Sequence, residues 1–142
     1  MLQIASRAAL LGAFVLCAAT ADDVVKRVPV NPTNPTSGAQ MFKEYCAVCH
    51  GLDAKGSGPA ASALKKAPSD LTTITARNNG KFPQLHIYSV IQGDPEVPAH
   101  GSKDMPVWGS VFQSMNSGTN ATAVVQLRIS NLTDYIKTVQ AK

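Results

Sequence analysis

Phe42-Lys43-Glu44-Tyr45-Cys46-Ala47-Val48-Cys49-His50 is the stretch on which the reading of this chain turns. Its last five residues form the pattern Cys-x-x-Cys-His. Two thiols three residues apart at a helix end face the same way, and the imidazole lies beside them. One flat ligand can meet all three groups. Three chemistries use such a cysteine pair: a disulfide, half of a zinc site, and covalent attachment of haem. In the last, the thiols of Cys46 and Cys49 add across the vinyl groups and His50 ligates the iron from the near face. A closed zinc site needs four ligands, and besides the cysteines the chain offers only His50, His86 and His100, with wide gaps to the last two. A redox disulfide of the thioredoxin kind wants βαβ patterning around it, which is missing. The context therefore favours haem, with disulfide and zinc as the alternatives.

Working outward, Ser37 is placed to cap a first helix, with Gln40 three residues on to complete a capping box. Phe42, Tyr45, Cys46 and Cys49 then recur at helical spacing and share one face. Upstream, Val28-Pro29-Val30-Asn31-Pro32-Thr33-Asn34-Pro35-Thr36 spaces its prolines too closely for a helix. Residues 22–36 are expected to be an extended, weakly packed lead-in. Residues 1–21 read as a signal peptide: Arg7 precedes an apolar run from Ala8 to Ala19, and Ala19-Thr20-Ala21 suits cleavage. The run is shorter than the roughly 18 apolar residues of a spanning helix. Cys17 lies within it and follows Leu16, not the small residue a lipidation signal wants, so it reads as leader packing. The expected mature protein is exported to the periplasm and has no membrane span.

Downstream, residues 120–139 carry Val125, Ile129, Leu132, Ile136 and Val139 as an apolar stripe with Tyr135 beside it. Shorter helical pieces are expected at 59–65, 83–92 with Gly93 as the stop, and 107–114. Residues 70–76 have β-branched character but no partner run. The fold class is all-α, a domain over 37–142 in which two terminal helices, short helices and loops wrap one haem. Only 6% of the 142 residues are aromatic, while Gly and Pro number 10 and 9. So thin a core gains from a large apolar group at its centre.

The chain has 13 basic and 9 acidic side chains, net +4. Loss of the leader removes Arg7 and two propionates offset most of the remainder. With no dense basic run interleaved with aromatics, nucleic acid is excluded as a partner. Lys65 and Lys66 read as a solvated face, and Asn120-Ala-Thr and Asn131-Leu-Thr as a helix cap and a surface position. For a sixth iron ligand the candidates are Met105, Met115, Met41, His86 and His100. Met105 is the best placed, since Pro106 stiffens its loop and Trp108 supplies a large ring nearby. His100, in Pro95-Glu96-Val97-Pro98-Ala99-His100-Gly101, is the main rival.

From Ser37 to Gln140 the chain resembles the class I, single-haem c-type cytochromes of bacteria. The resemblance rests on the helix entering Cys46-x-x-Cys49-His50-Gly51, on Gly56-Ser57-Gly58-Pro59, on Met105-Pro106-x-Trp108-Gly109, and on the last helix with Leu132 and Tyr135-Ile136. It implies that the Pro59 carbonyl orients the His50 ring, that Met105 is the distal ligand, and that Trp108 donates its indole N–H to a propionate. A basic residue in Arg77-Asn78-Asn79-Gly80-Lys81 would neutralise a propionate. The function implied is electron transfer, not catalysis, by a monomer that docks transiently with redox proteins of respiratory or dehydrogenase complexes. The alternatives are a haem subunit of a respiratory complex and a small haem enzyme with an open distal site.

Overall fold

The computed structural model describes residues 30–93, 105–116 and 118–141. The expected signal peptide, the first part of the lead-in, and His100 with its loop lie outside the described residues. Every regular element among the described residues is helical, in agreement with the all-α reading.

The first helix is a composite. It runs as α1 (Gly38–Met41), a π-helical segment (Phe42–Cys46) and α2 (Ala47–His50). Ser37 Oγ accepts from the Gln40 backbone N–H at 3.2 Å, as the capping reading expects. The reciprocal half of the box is not made: Gln40 Oε1 instead accepts from the Asn34 N–H at 3.2 Å. A π turn takes up an extra residue, a device common beside functional sites. Here it ends on Cys46, the first cysteine of the pair, with Phe42 turned toward the last helix and Tyr45 and Cys46 toward the centre of the molecule.

Two 3₁₀ turns, Ala61–Ala63 and Leu71–Thr73, and α3 (Ile74–Arg77) follow. The piece expected over 59–65 thus shrinks to a single turn, because the chain there is committed to satisfying the end of α2: Gly58 N–H donates to Cys49 O at 3.0 Å and Ala60 N–H to Val48 O at 2.8 Å. The β-branched stretch at 70–76 is helical, started by Asp70, whose carboxylate accepts from the Thr72 N–H at 2.8 Å.

α4 (Gln84–Gln92) ends at Gly93, which is left-handed at φ +87°, the conformation a helix stop of this kind requires. α5 (Trp108–Ser114) and α6 (Ala121–Thr138) complete the set. The last helix is the hub, packing against α1, α4 and α5. Its expected stripe is buried from Val125 to Ile136, with Ile129 and Leu132 fully enclosed, while Val139, just past the helix end, is half-buried. Arg128 and Thr133 share that face, which the stripe did not foretell. α1 crosses α6 at Gly38, where a Cβ would fall 2.1 Å from Asn131 O, so only glycine permits this approach.

The lead-in departs from expectation. Residues 30–36 form no helix, but they are not loosely packed: Thr33 is buried, Asn131 Nδ2 donates to Pro35 O at 3.1 Å, and Tyr45 Oη donates to Asn31 O at 2.7 Å. The reason is α6, whose polar side chains supply donors to the arm's carbonyls, which proline-rich backbone cannot pair internally.

Candidate functional site

A cavity of about 380 Å³ opens between the composite first helix, α3, α4 and α6. The composite helix contributes Tyr45, Cys46, Cys49 and His50, and α6 contributes Leu132 and Ile136 as an apolar floor. Ile87, Val90 and Ile91 of α4 form one wall, and Met105, Pro106 and Trp108 close it. Volume and lining are those of a cofactor site.

Cys46 is buried and Cys49 half-buried, and neither is in a disulfide. Burial, with the neighbouring Cys49 adding to it, pushes the Cys46 thiol up to about 12. A redox or zinc-binding cysteine is stabilised as the thiolate, so its acidity shifts the other way. Among the described residues no cluster of three or more His, Cys, Asp or Glu side chains could hold a metal ion.

His50 is buried, with Nδ1 3.0 Å from the carbonyl oxygen of Ser69. A carbonyl only accepts, so Nδ1 carries the proton and Nε2 is the basic nitrogen, the tautomer a metal ligand needs. Burial lowers the imidazole below its ordinary 6.5, outweighing the opposing pull of the Ser69 hydrogen bond. It follows that the unfolded chain binds the His50 proton more tightly than the folded one. The stability this contributes is complete above pH 6.5 and is lost as pH falls through 6.5 toward the lower folded value. A metal bound at Nε2 would sharpen the effect, because a bound nitrogen cannot take a proton. Thermal melts of the holoprotein from about pH 8 to about pH 5 should therefore show a falling midpoint below the unperturbed histidine range. A variant with His86 replaced by Gln should keep that fall.

The ring-orienting carbonyl is the one correction to the expected site. It belongs to Ser69, while Pro59 is exposed and does not line the cavity. The loop bearing Pro59 is tied to the carbonyls of α2, whereas the Ser69 loop is fixed from several sides. Leu71 N–H donates to Ala54 O at 2.8 Å, Gln140 Nε2 donates to Leu71 O at 2.7 Å, and Arg77 Nη1 donates to Asp70 O at 3.0 Å. The Asp70-x-Thr72 cap just after Ser69 was the available sequence signal.

Of the methionines, Met105 lines the cavity and is half-buried. Met41 is fully enclosed elsewhere, and Met115 lies 3.9 Å from Tyr45 Oη, outside the cavity lining. His86 reaches the cavity from an exposed position on α4. Trp108 is buried and stacks on Tyr45 with ring centroids 5.4 Å apart, which is packing, and it lines the cavity as well. Arg77 and Lys66 bring positive charge to the same lining.

An apolar cleft with an oriented imidazole, two thiols and a thioether suits haem: it offers hydrophobic faces, attachment points and soft iron ligands. No curated protein and no solved structure matches the chain. The family model described as cytochrome c oxidase, cbb3-type, subunit III matches residues 33–117, from within the lead-in to just past α5 and more than half of the chain. The chain belongs to that family, and a cytochrome c domain of this kind means haem-based electron transfer.

Proposed function

We propose that the protein is an exported, soluble electron carrier holding one haem through Cys46 and Cys49, with His50 and Met105 as axial ligands. The observation that carries this reading is that all four side chains line one apolar cavity. When bound, the haem supplies a one-electron couple between ferric and ferrous iron. The chain's own residues do the remainder. Ser69 holds the His50 ring in the ligating tautomer, and Pro106 restricts the backbone beside Met105. The buried aromatic cluster of Tyr45, Trp108 and Phe112 stiffens that side of the cavity. A stiff, six-coordinate site changes little between oxidation states, which suits transfer over substrate chemistry. Arg77 and Lys66 would offset propionate charge. Val48 and Leu52 are exposed on either side of Cys49 and offer a small apolar contact for a transient redox partner.

Met105→Ala tests the ligand set. The expected result is loss of the weak red absorption of methionine-ligated ferric iron, a lower potential, and rapid carbon monoxide binding by the reduced protein. Retention of the red band in the variant would assign the sixth position to another residue. Rapid carbon monoxide binding by the unsubstituted protein would instead favour an open-site haem enzyme.

The family description supports a second reading, a haem subunit of a respiratory complex. Among the described residues no helix is long and apolar enough to cross a membrane, so attachment in that case would run through partner contacts or the N-terminal segment. Purification from native membranes against the soluble exported fraction separates the two.

A further inference from the structure

Arg128 lies on the core face of α6 and is 4% exposed. Nη1 donates to Thr33 Oγ1 at 3.0 Å and to Met41 Sδ at 3.7 Å, and Nη2 donates to Thr33 O at 2.8 Å. Nε is buried without a hydrogen-bond partner, and no carboxylate among the described residues pairs with the group. A buried, unpaired cation is unfavourable unless something compensates it. Hydrogen bonding does not require the charge here, because every partner is an acceptor that a neutral amide could serve. Asn131 does that for the neighbouring Pro35 carbonyl.

What sets this position apart is its connection to the cavity. Tyr45 Oη gives its hydrogen to Asn31 O, so across the 2.9 Å contact with Thr33 Oγ1 it is Thr33 that donates. The bonds therefore run in one direction, from Arg128 to Thr33 to Tyr45, and each polarises the next. Tyr45 lines the cavity beside Cys46 and stacks on Trp108. Phe112, 5.8 Å from the guanidinium, packs on both rings. The charge and the cavity are thus separated by aromatic side chains, a medium that screens poorly. A guanidinium also keeps its proton inside a protein.

We infer that Arg128 is a positioning residue for the redox couple itself: a permanent positive charge behind the Tyr45–Trp108 wall that raises the reduction potential of the group in the cavity. The inference rests on the haem reading above. The reduced state has one positive charge fewer than the oxidised state, so a fixed cation favours it. At the effective dielectric of about 20 that applies inside proteins, a unit charge behind one layer of aromatic side chains is expected to shift a one-electron equilibrium by up to roughly tenfold, or 59 mV.

The test is spectroelectrochemical titration of purified red holoprotein, with a thermal melt of each sample. Arg128→Gln should lower the midpoint potential by about that amount, and Arg128→Lys should keep it near the parent value. Thr33→Val, which removes the hydrogen-bond link but no charge, should lower the melting temperature and shift the potential by much less than Arg128→Gln does. Thr33→Asp supplies a carboxylate to the guanidinium and should lower the potential with the arginine still present, which keeps the test open if Arg128→Gln does not fold. Unchanged potentials in Arg128→Gln or Thr33→Asp, with only the melting temperature reduced, would make Arg128 a clamp for the arm and overturn the inference. Failure of the parent protein to carry haem would sink the haem reading instead, a result visible by colour before any titration.

Discussion

Serine at both Cys46 and Cys49 should yield a protein whose haem passes into acidified organic solvent, whereas the parent haem stays on the polypeptide through a denaturing gel. On the proposed attachment, the substitution removes both thioether links and keeps His50, Met105 and the apolar walls, so haem could still enter but would be held by ligation and burial alone. Stability should fall with it. Molecules of the variant that lose their haem leave the apolar walls of the cavity open to water, which removes the burial that haem supplies. The double variant should therefore show a lower melting temperature that rises again with added haem, by mass action. Haem that resists extraction in the double variant would show attachment at another site and remove the basis for the ligand set.

The second large effect is expected at Gly38, which has no part in the proposed ligand set but is central to the fold. A Cβ there meets Asn131 O at 2.1 Å and Tyr135 Cβ at 2.7 Å, and neither atom is the movable end of a flexible side chain. Gly38→Val must push α1 away from α6. Overpacking alone costs about 1–3 kcal/mol. Separation of the helices would also weaken the Phe42–Tyr135 ring pair at 5.3 Å, worth about 0.5–1.5 kcal/mol more. A loss of about 3 kcal/mol is expected in urea or thermal unfolding, with a smaller loss for Gly38→Ala. Gly80 is the control: it is at φ +77° with nothing near its missing Cβ, so Gly80→Ala should cost only the local conformational strain, about 1–2 kcal/mol. If Gly38→Val proved no more harmful than Gly80→Ala, the close crossing of the terminal helices would be wrong.

These effects come from parts of the chain that were unequally legible. The cysteine pair with His50, the Ser37 cap, the stop at Gly93 and the stripe on α6 are local or periodic features. Each is set by residues within a few positions of one another, and each could be read directly. Met105 was legible through the stiffness of its neighbour Pro106. The carbonyl that orients His50 was not. Any backbone oxygen can accept, so its assignment depends on which loop is pinned beside the ring. The residues just after Ser69 are pinned by the Asp70 cap, Arg77 and Gln140, the last at the far end of the chain. The packing of the lead-in was likewise invisible, because its prolines speak only to local backbone and its partners Arg128 and Asn131 are on α6.

By itself, then, the sequence determined the chemistry on offer: two thiols, an imidazole and a thioether, placed on or beside helices whose ends and apolar faces it marks. Only the tertiary structure decided which of these groups share a cavity, which carbonyl holds the His50 tautomer, and that a charged Arg128 lies in the apolar stripe against a buried threonine. The physical reason is range. Caps, stops and periodicity act over a turn or two of chain, whereas burial, desolvation and second-sphere hydrogen bonds depend on which distant segments pack together.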